Sequence, residues 1–448
     1  MMFSHDRKDF GPDFVFGVAM AAHQIEGGQT DGRGASIWDS FAATPGNIKN
    51  AENGVVACDH YNRWAQDLDL IRDAGFDAYR FSFSWPRLIP DGTGALNEAG
   101  FDFYDRLIDG MLERNIKPFA TLYHWDLPSA LQDKGGWMNR DTTRAFADYA
   151  TQVTRRFGDR LTTTATLNEP WCITILSHFL GIHAPGYRDI RATSRAMHHV
   201  MLAHGLGIDA MRAEGGKDLG LVVNMEKCEP LTQSSQDAAA AELGDAIFNQ
   251  FFLDGALKGQ YPKLVTDRIE QYLPANWQDD LELISPPVDW IGLNYYTRSL
   301  YESDPTVPVF PFTQSRGAFE KNDLGWETYP QALAEFLKRT SDRYPELPIY
   351  VTENGMSESD DDKRVDFFDK HFAAIRDAQR QGVDVRGYMA WTLIDNFEWA
   401  EGYSAKFGIV AMDPQTRDRT PKGSYRAFQQ MLGDDADKIR SPAYLRPD

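Results

Sequence analysis

Two glutamates end short β-branched or aromatic runs, and each has an asparagine as a direct neighbour: Glu169 in TLNEP and Glu353 in YVTENGM. A pair of carboxylates is what acetal hydrolysis requires. One protonated acid donates to the leaving oxygen, while one ionised carboxylate attacks the anomeric carbon or activates water. Taken singly, each has a plainer reading as a solvated acid at a strand end, because carboxylates mostly face water. The Asn-Gly after Glu353 is also a strong turn signal. The chemical reading therefore depends on a fold that brings two distant acids to one place.

The chain has the grammar of such a fold. Eight β-like runs recur: FVFGVAM (14–20), DAYRFSFSW (77–85), KPFATLYHW (117–125), TTTATLNE (162–169), DLGLVVNME (218–226), VDWIGLNYY (288–296), PIYVTE (348–353) and VRGYMAWTL (385–393). Helical periodicity fills the intervals. In HYNRWAQDLDLIRDAG, Tyr61, Trp64, Leu68 and Ile71 share a face, with Asp59 as the expected N-cap and Gly75 as the C-terminal stop. In DTTRAFADYATQVTRRFG, Asp141 is the expected cap, Phe146, Tyr149 and Val153 form the stripe, and Gly158 closes it. Strands alternating with helices imply a parallel sheet, and no Pro-rich or Gly/Ser linker divides the chain. The expectation is one α/β domain over residues 1–448, a closed (β/α)8 TIM barrel.

A barrel places its chemistry at the C-terminal ends of its strands. Those ends carry or lead into Gln24 and Glu26, His124 and Trp125, Asn168 and Glu169, Asn294, Tyr295 and Tyr296, Glu353 and Asn354, and Trp391. Hydrogen-bonding side chains mixed with indoles suit a sugar, whose hydroxyls take polar partners while its C–H face stacks on an aromatic ring. Phosphate would call for Lys and Arg instead. Two long stretches, 225–246 and 300–322, leave such ends and are expected to rim the pocket as loops.

Composition removes whole classes of function. A formal net charge of −20 argues against a nucleic-acid partner. No apolar stretch is long enough to span a bilayer, so no membrane role is expected. The segment MMFSHDRKDFGPDF has no apolar core of a secretory signal, and Cys58, Cys172 and Cys228 form no CxxC pair, so a cytoplasmic protein with free thiols is expected.

The chain also resembles glycoside hydrolase family 1, the β-glucosidase and β-galactosidase group. The similarity rests on AAHQIEGG, SIWDSF, RFSFSWPRLIP, TLYHWDLP, TLNEPWC, HAPG, GLNYY, VTENG and WTLIDNFEW, in family order across nearly the whole length. The resemblance implies a retaining exo-β-glycosidase, foremost a β-glucosidase, with Glu353 as nucleophile and Glu169 as acid/base. Their carboxyl groups should stand about 5 to 5.5 Å apart. It implies that Gln24, His124, Asn168, Glu398 and Trp399 bind hydroxyls of the glycone, and that Trp391 forms the floor beneath it. Trp125 belongs to the same binding set. Arg80 and Tyr296 should contact the nucleophile, Asn294 should support that corner, and Trp326 should shape the aglycone entrance. Small β-glycosides and short oligosaccharides are the implied partners, and the chemistry requires no metal or organic cofactor.

Other readings fare worse. A 6-phospho-β-glycosidase would replace the acid after NF with a small residue, whereas IDNFEWAEGYSAKFG keeps Glu398, although Tyr403 and Lys406 stand nearby. A thioglucosidase would lack Glu169, and a silent sugar-binding homologue would lack one of the two glutamates. Thr164 and Phe83 depart from the family pattern at positions expected to matter for packing. His198, His199 and His204 in MHHVMLAHG read as core histidines rather than metal ligands, because no HExxH accompanies them. The run ESDDD (358–362) reads as a solvated loop, and Leu107, Ile108, Met111 and Leu112 as core.

Overall fold

The computed structural model describes residues 2–28 and 31–439, the last six by backbone alone. Strands β1 (Val15–Ala19), β2 (Ala78–Ser82), β3 (Lys117–Tyr123), β4 (Thr163–Asn168), β5 (Leu219–Pro230), β6 (Trp290–Ser303), β7 (Phe312–Ser315), β8 (Ile349–Asn354), β9 (Val385–Trp391), β10 (Val410–Met412) and β11 (Arg419–Pro421) follow in chain order. Eight of them close a parallel barrel in the order β1-β2-β3-β4-β5-β6-β8-β9 and back to β1. These eight are the eight runs read from the sequence. Strand β7 pairs antiparallel with the outer half of β6, and β10 and β11 form a separate hairpin.

The two long stretches differ from the expected loops. Beyond a bulge at Met225, β5 and β6 keep pairing from Lys227↔Arg298 to Pro230↔Tyr301, so both strands rise above the barrel mouth. The helix Ser235–Asp245 and strand β7 then pack against this extension. Its polar side is tied by Arg298, which bonds Glu327 at 2.7 Å and also pairs with Glu229. A paired ribbon satisfies backbone groups that an irregular loop would leave to water.

Helices sit between strands as their periodicity requires. Phe146, Tyr149 and Val153 are fully buried on the helix Asp141–Phe157, each apolar side chain contributing about 1.5–3 kcal/mol by leaving water. The caps differ from expectation. Asp59 precedes the helix His60–Asp73 in a left-handed conformation (φ 55°), and its carboxylate takes Asn62 and Arg63 rather than a first-turn amide. Asp141 lies inside its helix, where Asn139 Oδ1 accepts its N–H at 3.0 Å. Gly75 stops its helix with φ 84°, and Gly158 closes its helix as the C-cap while keeping a helical φ of −57°.

Phe83 is buried and stacks on Phe157 with centroids 5.1 Å apart, and Thr164 is buried too, so both departures from the family pattern lie in packed interior. Leu107, Ile108 and Met111 are core, but Leu112 is 43% exposed because it falls on the outer edge of its helix. The three histidines have separate partners: His198 meets Tyr261 and Asp280, His199 the Trp137 carbonyl, and His204 the Thr166 hydroxyl. No cluster that could hold a metal ion occurs among the described residues. The run 358–362 is a solvated loop only in part, with Ser359 and Asp360 exposed ahead of a helix. Asp360 caps the helix Asp361–Arg380, Asp361 pairs with Arg364, and Glu358 is buried. No helix among the described residues is long and apolar enough to cross a membrane.

Candidate active site

Glu353 stands at the mouth because β8 carries it there, in register with Asn294 of β6. Its carboxylate is held from two sides. Arg80, from β2, donates Nη1 to Oε1 at 2.5 Å, and Tyr296 donates its hydroxyl to Oε2 at 2.6 Å. Asn354 does not begin a turn. Its amide donates to the Tyr295 carbonyl at 2.7 Å and its Oδ1 accepts from Tyr388 at 2.8 Å, tying β8 to both neighbours. Gly355 keeps an ordinary negative-φ or extended backbone, and a Cβ there would lie 1.8 Å from the Trp391 carbonyl oxygen. The glycine is thus needed for close approach to β9 rather than for a turn.

Glu169 lies one residue past β4 with φ 53°, a conformation that costs a non-glycine residue about 1–3 kcal/mol. Trp125 (φ 81°) and Trp399 (φ 50°) share that feature, so three residues of one pocket have strained backbone. A π-helical segment, Cys172–Phe179, opens three residues after Glu169. The Glu169 carboxyl accepts from Asn294 Nδ2 at 2.6 Å on Oε1 and from Cys172 Sγ at 3.0 Å on Oε2.

Asn294 links the two acids. Thr352 donates to its Oδ1 at 2.7 Å, which orients the amide, and Nδ2 donates to Glu169 Oε1 at 2.6 Å and to Asn168 Oδ1 at 3.1 Å. The link to Glu353 runs on through Asn168 Oδ1 to Arg80, whose other guanidinium nitrogen holds Glu353. Asn168 completes the network: its Oδ1 accepts from Arg80 at 2.7 Å and its amide donates to His124 Nε2 at 3.2 Å.

Electrostatics separate the two carboxyls. Burial, and then the charge of Glu353, push Glu169 up to about 8. Burial also raises Glu353, outweighing Arg80 and Tyr296, both of which favour its ionised form. Of the two, Glu353 alone has a cation as its hydrogen-bond partner, so it is the one that stays ionised while Glu169 holds its proton. His124 is driven well below the usual imidazole range by burial and by Arg80, so it is neutral.

A cavity of about 700 Å³ opens on this pair. His124, Trp125, Glu169, Tyr296, Trp326, Glu353, Trp391, Glu398 and Trp399 all contribute to its wall. Arg80, Gln24, Asn168 and Asn294 lie one layer deeper and are buried. At the closed end, Gln24 donates to Glu398 Oε2 at 3.1 Å and to the Phe397 carbonyl and Asn396 Oδ1 at 3.0 Å. Burial keeps Glu398 protonated up to about 8. The rings of His124 and Trp391 lie nearly parallel, 5.9 Å apart, and Trp399 packs on Trp125 at 4.6 Å. At the open end, Trp326 meets Tyr296 edge to face at 5.7 Å.

Every residue given a catalytic or sugar-binding role from the sequence falls on this cavity or directly behind it. The other strand-end candidates do not line it: Glu26 accepts from Arg87 and Tyr104, Tyr295 donates to the Tyr329 carbonyl, and Asn354 braces the strands. Sequence reasoning missed Cys172, Asn224, Thr352 and Asn396. Cys172 stands in the quoted motif TLNEPWC, and Asn396 beside Glu398 in IDNFEW, so position relative to the glutamates was the available signal.

Comparison with known proteins agrees with this geometry. The family described as glycosyl hydrolase family 1 matches residues 6–436. The chain is 47% identical to a β-glucosidase of Agrobacterium sp. (strain ATCC 21400), covering 94% of this chain and 95% of that protein. It is 44% identical to β-glucosidase A of Thermotoga maritima, with 93% and 96% covered. A solved family 1 β-glucosidase from Thermotoga maritima, in complex with isofagomine lactam, superposes with a TM-score of 0.92 at 42% identity over 95% of this chain and 99% of that one. The barrel, the carboxylate pair at its mouth and these matches together establish that the chain belongs to glycosyl hydrolase family 1.

Proposed function

We propose that this protein is a retaining exo-β-glycosidase that removes a terminal non-reducing β-D-glucosyl residue, with Glu353 as nucleophile and Glu169 as acid/base. The observation that carries the reading is a pair of unequal carboxyls on one cavity wall, Glu353 held by Arg80 and Tyr296 and Glu169 by Asn294 and Cys172, with the charge of Glu353 felt at Glu169. A retaining pair stands close enough for one carboxylate to attack directly, whereas an inverting pair is spaced wider to admit water. In the first step Glu353 attacks the anomeric carbon while Glu169 gives its proton to the leaving oxygen. Esterification removes the negative charge of Glu353, which lowers the affinity of Glu169 for a proton. Glu169 then takes a proton from water as that water opens the ester, and the anomeric configuration is retained.

The glycone occupies the closed end, with its hydroxyls toward Gln24, His124, Asn168, Glu398 and Trp399 and its ring over Trp391. The aglycone leaves past Trp326. Buried Glu398 disfavours a 6-phosphate there, and Lys406 and Tyr403 are not on the cavity wall; the Tyr403 hydroxyl instead donates to the Asn53 carbonyl. The substrates are aryl β-glucosides and short cello-oligosaccharides, handled by one catalytic domain. Three unpaired thiols favour a cytoplasmic setting.

A panel of nitrophenyl α- and β-glycosides, with and without a 6-phosphate, tests the reading when product configuration is followed by NMR. Release of β-glucose from β-glucosides as the first product is expected. Hydrolysis confined to 6-phosphorylated substrates, or release of α-glucose, would overturn it.

A further inference from the structure

Glu169 has both carboxyl oxygens occupied, and the two partners differ in kind. On Oε1 stands the Asn294 amide nitrogen, which can only donate. On Oε2, at 3.0 Å, stands the Cys172 thiol, which can donate or accept. A second contact orients that thiol: Asn224 Nδ2, from β5, donates into Sγ at 3.6 Å, leaving the S–H directed at Glu169. Asn224 is more than nine-tenths buried, its amide oxygen has no partner among the described residues, and it lines the cavity together with Cys172. Backbone geometry supports the contact, because the Ile173 N–H bonds the Glu169 carbonyl at 3.1 Å and the wide π-helical turn starts at Cys172.

We propose that Cys172, steered by Asn224, is a positioning residue for the acid/base step, a hydrogen-bond partner on Glu169 Oε2 that reverses direction as the Glu169 proton leaves and returns. The proposal rests on the assignment of Glu169 as acid/base. With Glu169 protonated, Oε2–H faces either the leaving oxygen or the sulfur. When the proton has passed to the leaving oxygen, S–H donates to the carboxylate and stabilises it. The thiol neither gains nor loses a proton, and burial together with the Glu169 charge holds it well above the usual thiol range. A fixed donor such as Asn294 favours only the ionised acid; a thiol serves both states, the ionised one more strongly because a hydrogen bond to a charged oxygen is the stronger.

The consequence is specific to substrates that need protonic assistance. Cys172→Ala removes a donor to the ionised form, so the alkaline limb of kcat/KM moves to higher pH and proton donation weakens. For phenyl β-glucoside kcat/KM should fall by up to about tenfold, the size of one hydrogen bond. For 2,4-dinitrophenyl β-glucoside, whose leaving group departs unprotonated, it should be unchanged. Cys172→Ser, which keeps a hydroxyl able to donate and accept, should restore the phenyl substrate. Equal losses on both substrates with an unmoved alkaline limb would mean that Cys172 only fills space, and no change on either would remove its role. Thermal melting of both variants separates a folding defect from these outcomes, since the serine variant conserves volume. Failure of the wild-type protein to cleave either glucoside would instead reject the glycosidase reading itself.

Discussion

The ends of β4 and β8 present the same side chain, a buried glutamate facing one cavity, yet the two are built differently. Glu353 belongs to its strand and is gripped by a guanidinium and a phenol. Glu169 stands just beyond its strand, in a left-handed conformation, and is held by an amide and a thiol. Burial raises both, and the Arg80 charge opposes it at each, but only Glu353 has the guanidinium as a hydrogen-bond partner, while at Glu169 the charge of Glu353 adds to the rise. The difference teaches that role follows surroundings: the acid beside the cation is suited to attack, and the one beside neutral donors is suited to carry a proton.

The sharpest way to break this contrast is to truncate each acid and add azide. Glu353→Ala should lower kcat/KM by about 10⁵-fold or more on all substrates, as loss of a nucleophile does. Azide should rescue it with inverted product. Glu169→Ala should cost about 10²–10⁴-fold on poor leaving groups and little on dinitrophenyl glucoside, with azide yielding the β-glycosyl azide. Exchange of these two patterns would exchange the roles.

A smaller effect sharpens the β8 corner. Arg80→Gln should lower kcat/KM by about 10²–10³-fold and Tyr296→Phe by about tenfold. Both should shift the acidic limb of the pH profile upward, because a carboxylate that loses a cation or a donor holds its proton to higher pH. Arg80→Gln should shift it further, and a larger shift in Tyr296→Phe would contradict the primacy of the guanidinium.

The smallest effect concerns the coupling. Since Glu169 works protonated, kcat/KM should fall as pH rises through about 8. The Glu353 charge contributes to that value, so Glu353→Gln should move the Glu169 titration, followed by carbon NMR of labelled glutamate, to lower pH. The apparent values belong to the pair, and an unmoved titration would show that burial alone raises Glu169.

Much of this was legible in the chain because barrel strands are short, apolar and regularly followed by helices. Their polar terminal residues, from Gln24 to Trp391, therefore announced the mouth. Local signals misled where long-range contacts override them. Asn354-Gly355 has the composition of a turn, yet its asparagine braces three strands and its glycine admits the Trp391 backbone. Asp59 and Asp141 have the composition of caps, but the Asp59 carboxylate is taken by the Asn62 and Arg63 side chains and the Asp141 N–H is taken by Asn139. The stretch 300–322 carries no apolar alternation to mark β7, whose residues are mostly exposed. The contact of Cys172 with Asn224 joins β4 to β5 across the rim, and nothing in either local sequence specifies it.

The assignment of the two glutamates is tested most directly by slowing the reaction between its steps. An activated 2-deoxy-2-fluoro-β-glucoside should inactivate the enzyme, and peptide mass spectrometry should find the fluoroglucosyl ester on Glu353. An ester on Glu169, or steady turnover to α-product with no covalent adduct, would contradict the account.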